Sequence, residues 1–202
     1  SQEELLEGLS SSRSVDWSRV TAFHLDEYVD FPAQAPQAFG RFLRERLFQR
    51  VPLREVHLLD GNAPDLQAEA RRYAALLSSG PLDLACTGIG ENGHLAFNEP
   101  GRTDFQDPVL VRVVELDARS RLQQVHDGCF ASLDEVPRRA LTLTIPAIMA
   151  ARTVICVVPG ATKRDALALT LRGPISPDVP ASILREHPDA TLYADVASAE
   201  AL

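Results

Sequence analysis

Long apolar runs and an excess of basic residues are both missing from this sequence of 202 residues. No run approaches the roughly 20 apolar residues of a membrane-spanning helix, and the opening SQEELLEGLSSS lacks the basic-then-apolar order of a secretory leader. The formal net charge is −8, which argues against nonspecific binding to nucleic acid. We therefore expect neither membrane nor nucleic acid among the partners, which leaves small molecules.

Cysteine is also scarce. Cys86, Cys129 and Cys156 are odd in number and lack the spacing of metal ligands, and two of them lie in apolar stretches. Free, buried thiols in a reducing compartment fit this usage, so the sequence predicts a cytoplasmic protein. Neither an HExxH pairing nor an aspartate-rich calcium loop occurs, and no second histidine lies close to His94 in sequence, so we expect no metal site.

The residues that are abundant predict one α/β core. Hydrophobic residues make up 45% of the sequence, enough for one core, and 1–202 is predicted to be a single domain. Short apolar segments predict strands at 20–25, 55–59, 82–87, 110–116, 153–158 and 190–195. Apolar residues at helical spacing predict helices at 38–50 and 63–79. The alternation predicts a three-layer α/β sandwich with a mostly parallel, Rossmann-like sheet, which binds ligands at the carboxyl ends of its strands.

One glycine-rich loop, GIGENGHLAFNEPG at 88–101, follows a predicted strand. Its glycines allow positive φ and a close approach of backbone to ligand, and His94 and Glu99 bring groups that can move protons near neutral pH. The alternative is a tight structural turn with a solvated histidine. The functional interpretation is favoured here, and it makes this segment a candidate active-site loop.

Two further candidates also lie just beyond predicted strands. Lys163 lies at the start of a helix, where free N–H groups and its own charge would suit a phosphate, although a solvated lysine is the commoner case. Asp26 begins the acidic pair Asp26–Glu27, which could bind metal, cap a helix or abstract a proton. A general base at Asp26 would require a desolvated pocket, because an ordinary aspartate is too weak a base at neutral pH.

Five segments together resemble the glucosamine-6-phosphate deaminase family. They are FHLDEYVDFP at 23–32, GIGENGHLAFNEPG at 88–101, VPRRALTLTI at 136–145, PGATKRDAL at 159–167 and PASILREHPDATLYAD at 180–195. Their order and spacing agree with the family over nearly the whole chain. The related 6-phosphogluconolactonases share a similar glycine turn but not the AFNEP continuation that supplies Glu99.

The resemblance implies a cofactor-free isomerisation and deamination, in which glucosamine 6-phosphate and water give fructose 6-phosphate and ammonia. It implies that His94 opens the sugar ring, that Glu99 orients and polarises His94, and that Asp26 moves the C2 hydrogen to C1. Lys163 would pair with the phosphate. The backbone at Gly88 and Ile89 would line the substrate.

Three positions depart from the family pattern. Asn92 stands where the best-known pattern has an aspartate in a histidine–carboxylate relay, and its amide is expected to hydrogen-bond the imidazole without offsetting an imidazolium charge. Phe39 stands where a substrate-side tyrosine is expected, so a hydroxyl contact would be lost. The family's phosphate-binding arginine aligns poorly, with Arg119 and Arg121 both near it and Arg121 slightly preferred.

The opening of the family pattern, a strand–helix–strand unit ending in a phosphate loop, has no counterpart here. We expect a sheet that lacks central strands, and we interpret the sequence as an incomplete chain with weak phosphate binding and low activity if it acts alone. The competing functions are a catalytically weakened sugar-phosphate-binding protein and a 6-phosphogluconolactonase. The preferred amino-sugar epimer and a homo-oligomeric state stay open.

Overall fold

The computed structural model describes residues 2–202, which form eight strands and six α-helices. The strands are β1 Thr21–Phe23, β2 Asp26–Tyr28, β3 Glu55–His57, β4 Leu84–Thr87, β5 Val111–Glu115, β6 Arg139–Leu143, β7 Thr153–Val158 and β8 Ala190–Ala194. The helices are α1 Glu3–Ser11, α2 Phe39–Leu43, α3 Leu66–Leu77, α4 Ala118–His126, α5 Ile145–Met149 and α6 Arg164–Arg172. A π-helical turn, Arg44–Phe48, continues α2, and the longest 3-10 segment is Pro180–Glu186. Among these residues no helix is both long and apolar enough to cross a bilayer.

The strands form two parallel sheets and one antiparallel sheet. β1 pairs with β3 in parallel, and β7 lies between β4 and β8 in the second parallel sheet. β6 lies between β2 and β5 in the antiparallel sheet. The predicted α/β class is therefore confirmed. The segment 110–116 does form a strand, but it runs antiparallel to its neighbour, because its partner is β6 and not a strand of the parallel sheets.

Both predicted helices are present, and their ends follow from local chemistry. The segment 63–79 contains α3, which begins after Asp65, and the carboxylate of Asp65 accepts hydrogen bonds from the N–H groups of Gln67 and Ala68. This capping satisfies N–H groups that have no partner within the helix. The segment 38–50 contains α2 and its π-helical continuation.

The buried apolar residues form one large core and two smaller clusters. β7 is buried at alternate positions, and its Val154, Cys156 and Val158 are at most 1% exposed, as expected for a strand between two others. The large core joins this sheet to α3 and β6. A second, aromatic cluster gathers around Tyr28, and a third lies between α1 and the end of the π-helical turn.

A cavity of about 1430 Å³ separates the two parallel sheets. Thr21–Phe23 of β1 and Leu84–Thr87 of β4 both line it, and within residues 2–202 these two strands do not pair with each other. Leu84 is 44% exposed there. The interruption agrees with the expected sheet without central strands.

The parallel pairing of β4 with β7 brings the ends of both strands to one edge of the sheet. Thr87 ends β4 and Val158 ends β7, so the glycine-rich loop at 88–101 and the turn before Lys163 leave from neighbouring points. Ligand sites in α/β sheets lie at this edge. The fold thus places the candidate loop and the candidate lysine at one end of the cavity.

Candidate active site

Asp26 lies at the start of β2 and faces the cavity. Burial, and secondly the negative charge of neighbouring Glu27, raise the pKa of Asp26 from 3.8 to about 7. An acid with this pKa accepts and returns a proton readily at neutral pH. Asp26 is half-buried at the cavity wall, and the raised pKa is the shift that a general base at this position requires.

Glu27 points to the opposite face of β2, as successive strand residues do. Its carboxylate accepts hydrogen bonds from the N–H groups of Tyr28 (2.9 Å), Phe39 (3.2 Å) and Gly40 (2.8 Å), and His24 Nε2 lies 3.6 Å away. Burial acts against its charge, but these contacts outweigh burial and lower the pKa of Glu27. Of the three roles left open for the acidic pair, Glu27 takes helix capping, because it holds the first turn of α2.

The loop at 88–101 is closed by its own backbone and folds around the imidazole of His94. Gly90 N–H donates to the His94 carbonyl, and Gly93 N–H donates to the Gly90 carbonyl. A Cβ added to Gly90 would lie 2.2–2.4 Å from the His94 ring, and Gly93 has φ +87°. These glycines are needed for shape, because any side chain at Gly90 would displace the imidazole.

The His94 side chain contacts Glu99 through a serine. Ser120 Oγ lies 2.7 Å from His94 Nδ1, and it donates a 2.7 Å hydrogen bond to Glu99 Oε2. The direct separation of His94 Nδ1 and Glu99 Oε2 is 3.7 Å, which is too long for a hydrogen bond. The predicted partnership of His94 and Glu99 is thus mediated by a residue that the sequence analysis did not select.

Asn92 is placed differently from the expectation. Its Oδ1 accepts from the backbone N–H of His94 at 3.1 Å, and its Nδ2 donates to Glu99 Oε2 at 3.1 Å and to Ser120 Oγ at 3.3 Å. The expected hydrogen bond from the amide to the imidazole is therefore wrong for this structure, because Ser120 occupies the Nδ1 side of the ring. Asn92 instead holds the loop backbone and the carboxylate together.

The electrostatics of this cluster favour a neutral imidazole. Burial, and secondly the positive charge of Lys163, lower the pKa of His94 to about 4, although Asp117 and Glu91 act in the opposite direction. Burial raises the pKa of Glu99 despite its hydrogen bonds from Ser120 and Asn92. A buried histidine that stays neutral at pH 7 can accept or donate a proton at a ring nitrogen.

Lys163 comes at the end of a short 3-10 turn, Ala161–Lys163, that leads into α6. Gly160, at φ +94°, starts this turn. Lys163 is only 6% exposed yet lines the cavity, and burial lowers the pKa of its ammonium group against the opposing charges of Asp127 and Glu91. Within residues 2–202 no carboxylate lies within 4 Å of its Nζ. It is therefore a buried cation available to an anionic ligand.

Other predicted substrate contacts divide into two groups. Gly88, Ile89 and Phe39 line the cavity, and the Phe39 ring lies 4.7 Å from that of Tyr28 in the aromatic cluster. Arg121 does not line the cavity, and its guanidinium donates to the carbonyl oxygens of Leu133 and Val136. This placement argues against the predicted contact of Arg121 with the phosphate.

Sequence alone points to Arg119 and Arg121 in this part of the chain, but the residue that contacts His94 and Glu99 is Ser120, which lies between them. Consecutive residues of a helix are about 100° apart, so Ser120 faces inward in the first turn of α4 while Arg119 and Arg121 point elsewhere. The sequence does carry one signal for this helix, because Asp117 is a residue type that caps helices. Its carboxylate accepts a hydrogen bond from the N–H of Arg119 at 2.7 Å at the start of α4.

Across the described part of the chain, no group of three or more histidine, cysteine, aspartate or glutamate side chains is placed to hold a metal ion.

Comparison with known proteins connects this geometry to a family. A glucosamine-6-phosphate deaminase of Lactobacillus delbrueckii subsp. bulgaricus is 40% identical over 199 residues, which make up 98% of this chain and 82% of that protein. One from Streptococcus agalactiae is 39% identical over 189 residues, which make up 94% of this chain and 79% of that protein. The sequence similarity therefore covers every segment of the site.

Solved structures of related proteins also superpose on this chain. A monomeric glucosamine-6-phosphate deaminase superposes with a TM-score of 0.88 at 34% identity, over 100% of this chain and 83% of that one. A 6-phosphogluconolactonase of Thermotoga maritima superposes with a TM-score of 0.73 at 23% identity, over 96% and 79%, and supports the fold alone. The model of the family described as "Glucosamine-6-phosphate isomerases/6-phosphogluconolactonase" matches residues 1–193. The chain belongs to this family of glucosamine-6-phosphate isomerases and 6-phosphogluconolactonases.

Proposed function

We propose that this protein is an enzyme that converts glucosamine 6-phosphate and water into fructose 6-phosphate and ammonia. One observation carries the proposal: Asp26, His94 and Lys163, from distant parts of the sequence, line one cavity. The relatives named as glucosamine-6-phosphate deaminases support the same reaction. The route needs only proton transfers and water, so it requires no cofactor.

Ring opening is the first step. The proton of the C1 hydroxyl moves to a nitrogen of His94, the C1–O5 bond breaks as the carbonyl forms, and the ring oxygen takes the proton from His94. A neutral imidazole suits this exchange, because it takes up one proton and returns it within the step. Glu99 acts on His94 from the other side of the ring.

Isomerisation and loss of nitrogen follow from the open aldehyde. Asp26 removes the proton at C2, which the aldehyde acidifies, and the aldehyde oxygen is protonated to give an enolamine. Asp26 then returns its proton to C1, and the nitrogen loses one proton, which balances the one gained by the C1 oxygen. This leaves an imine at C2, to which water adds, and ammonia departs as the ketone forms. The raised pKa of Asp26 matches a group that must hold a proton between the two carbons.

Binding of the substrate is assigned to the lysine and to the walls of the cavity. Lys163 pairs with the phosphate, and the backbone of Gly88 and Ile89 lies along the sugar. Phe39 supplies an apolar wall without a hydroxyl. Because Arg121 is held by carbonyl oxygens, we do not assign it to the phosphate.

An ammonia-coupled assay on glucosamine 6-phosphate tests the proposal. Asp26→Asn is expected to abolish turnover while largely sparing affinity, and Asp30→Asn is the matched control, because Asp30 is exposed and pairs with Arg139 at the surface. Binding without turnover by the unmodified protein would indicate a sugar-phosphate-binding protein instead. Hydrolysis of 6-phosphogluconolactone, unaffected by Glu99→Gln, would indicate a lactonase. Galactosamine 6-phosphate, run in parallel, decides the epimer.

The cellular setting completes the proposal. Cys86, Cys129 and Cys156 are all free thiols, which is consistent with the reducing cytoplasm predicted from the sequence. Assembly of copies into a homo-oligomer stays a prediction. Light scattering would decide between an oligomer and a monomer like the structural relative.

A further inference from the structure

Ser120 lies where it can transmit a proton. It is 1% exposed, and its Oγ is 2.7 Å from both His94 Nδ1 and Glu99 Oε2. The helix that carries it is fixed to the same carboxylate, because the backbone N–H of Asp117, the residue that caps α4, donates to Glu99 Oε1 at 3.4 Å. Serine, carboxylate and imidazole therefore form one buried chain of hydrogen bonds.

The direction of these bonds fixes the tautomer of the imidazole. A hydroxyl has one proton to donate, and Ser120 donates it to the acceptor-only carboxylate of Glu99. Its oxygen must then accept a proton from His94 Nδ1. This leaves Nε2 of His94 as the unprotonated nitrogen, and His94 lines the cavity.

We propose that Ser120 is a proton relay that couples His94 to Glu99 during ring opening. When Nε2 takes the proton of the C1 hydroxyl, the Nδ1 proton passes to Ser120 Oγ, and the serine hydroxyl proton passes to Glu99 Oε2. One bond breaks and one forms at each step, and the net result moves one negative charge from Glu99 to the sugar oxygen. When the ring oxygen takes the Nε2 proton, the relay runs back.

The relay lets the imidazole exchange protons without becoming a cation. Burial and the charge of Lys163 disfavour an imidazolium at His94, and burial favours a neutral Glu99. Both effects act in the direction that the relay requires. Ser120 acts through His94, so it is a positioning residue, and this inference rests on the proposed function.

The first test measures the tautomer and needs no substrate. Nitrogen-15 NMR of the free protein, with the His94 signal assigned by its loss in His94→Gln, is expected to show a proton on Nδ1. Ser120→Ala is expected to shift the population to the Nε2–H form, whereas Ser120→Thr keeps the Nδ1–H form. Thr170→Val, a change at a buried hydroxyl in α6, serves as the control. An Nε2–H tautomer in the unmodified protein, or an unchanged tautomer in Ser120→Ala, overturns the relay.

The second test measures catalysis. Ser120→Ala is expected to lower kcat by roughly 100-fold with little change in KM, since general acid–base catalysis contributes at least that much. Ser120→Thr is expected to restore most of it. The unmodified enzyme should also show a curved dependence of ring-opening rate on deuterium content, from several moving protons, that becomes linear in Ser120→Ala. Equal rates in Ser120→Ala and the unmodified enzyme would refute the relay.

Two further controls keep these tests decisive. Should Ser120→Ala unfold, Ser120→Cys replaces it, because a thiol has similar volume and is a weak donor and acceptor. Should the unmodified protein release no ammonia from either amino-sugar phosphate, the proposed function fails, while the tautomer measurement still decides whether the hydrogen-bond chain exists.

Discussion

Replacing Asp26 by asparagine should stabilise the fold increasingly as the pH rises above 3.8, while it removes activity. Asp26 has a pKa of about 7 in the folded protein, against an ordinary 3.8, because burial and then Glu27 disfavour its charge. The folded state therefore binds a proton more tightly than the unfolded state does. Stability from this group is complete below pH 3.8 and is lost as the pH rises through 7.

The magnitude follows from the pKa difference. A shift of about 3 units corresponds to at most about 4 kcal/mol of unfolding free energy lost at pH 8, and to about 1.5 kcal/mol at pH 5. Asparagine is nearly the same size and carries no charge at any pH. Asp26→Asn should therefore raise the free energy of unfolding by these amounts at pH 8 and pH 5, and should hardly change it at about pH 3.5.

Urea unfolding at pH 5 and pH 8 measures the effect, with the difference in midpoint converted through a common slope. Asp30→Asn is again the control, and a surface ion pair of this kind is worth only about 0–1 kcal/mol. A gain that does not depend on pH, or a loss of stability at pH 8, would refute the electrostatic account of Asp26.

Three other substitutions test the loop, the buried cation and the amide. Gly90→Ala places a Cβ within 2.4 Å of the His94 ring, so it should lower kcat and destabilise the fold by about 1–3 kcal/mol, both measurable on one preparation. Lys163→Met should raise KM and also raise the pKa of His94 above about 4, seen by NMR titration, whereas the exposed neighbour Arg164→Met should change neither. Asn92→Asp should move the acidic limb of the pH–rate profile to higher pH, and an unmoved limb would separate Asn92 from the His94 cluster.

Local patterns were enough to locate most of the parallel strands and the cavity edge. The short apolar runs 153–158 and 20–25, which contain β-branched residues, identify β7 and β1, because the signal for such a strand lies in consecutive residues. The pairing of β2 with β6 could not be found in this way. It joins Asp26 to Thr142, far apart in sequence, through strands of three and five residues that carry little periodicity.

The site shows the same division between local and long-range information. Motifs identified Asp26, His94, Glu99 and Lys163 as candidates, and the structure brings three of them to the cavity with Glu99 behind His94. Ser120 carried no motif of its own. Its role depends on how α4 docks on the loop at 88–101, which involves Asp117 and Glu99 together and so lies outside any local pattern.

The adjacent carboxylates of Asp26 and Glu27 have different roles. Strand alternation sends Asp26 toward the cavity and Glu27 toward α2, so one carboxylate meets the substrate space while the other receives N–H donors. Glu27 keeps its charge through those donors, and that charge in turn raises the pKa of Asp26. Sequence alone identifies the acidic pair but not the strand that carries it. Which carboxylate stays ionised depends on the start of α2, where Phe39 and Gly40 place their N–H groups, and only the folded chain supplies that contact.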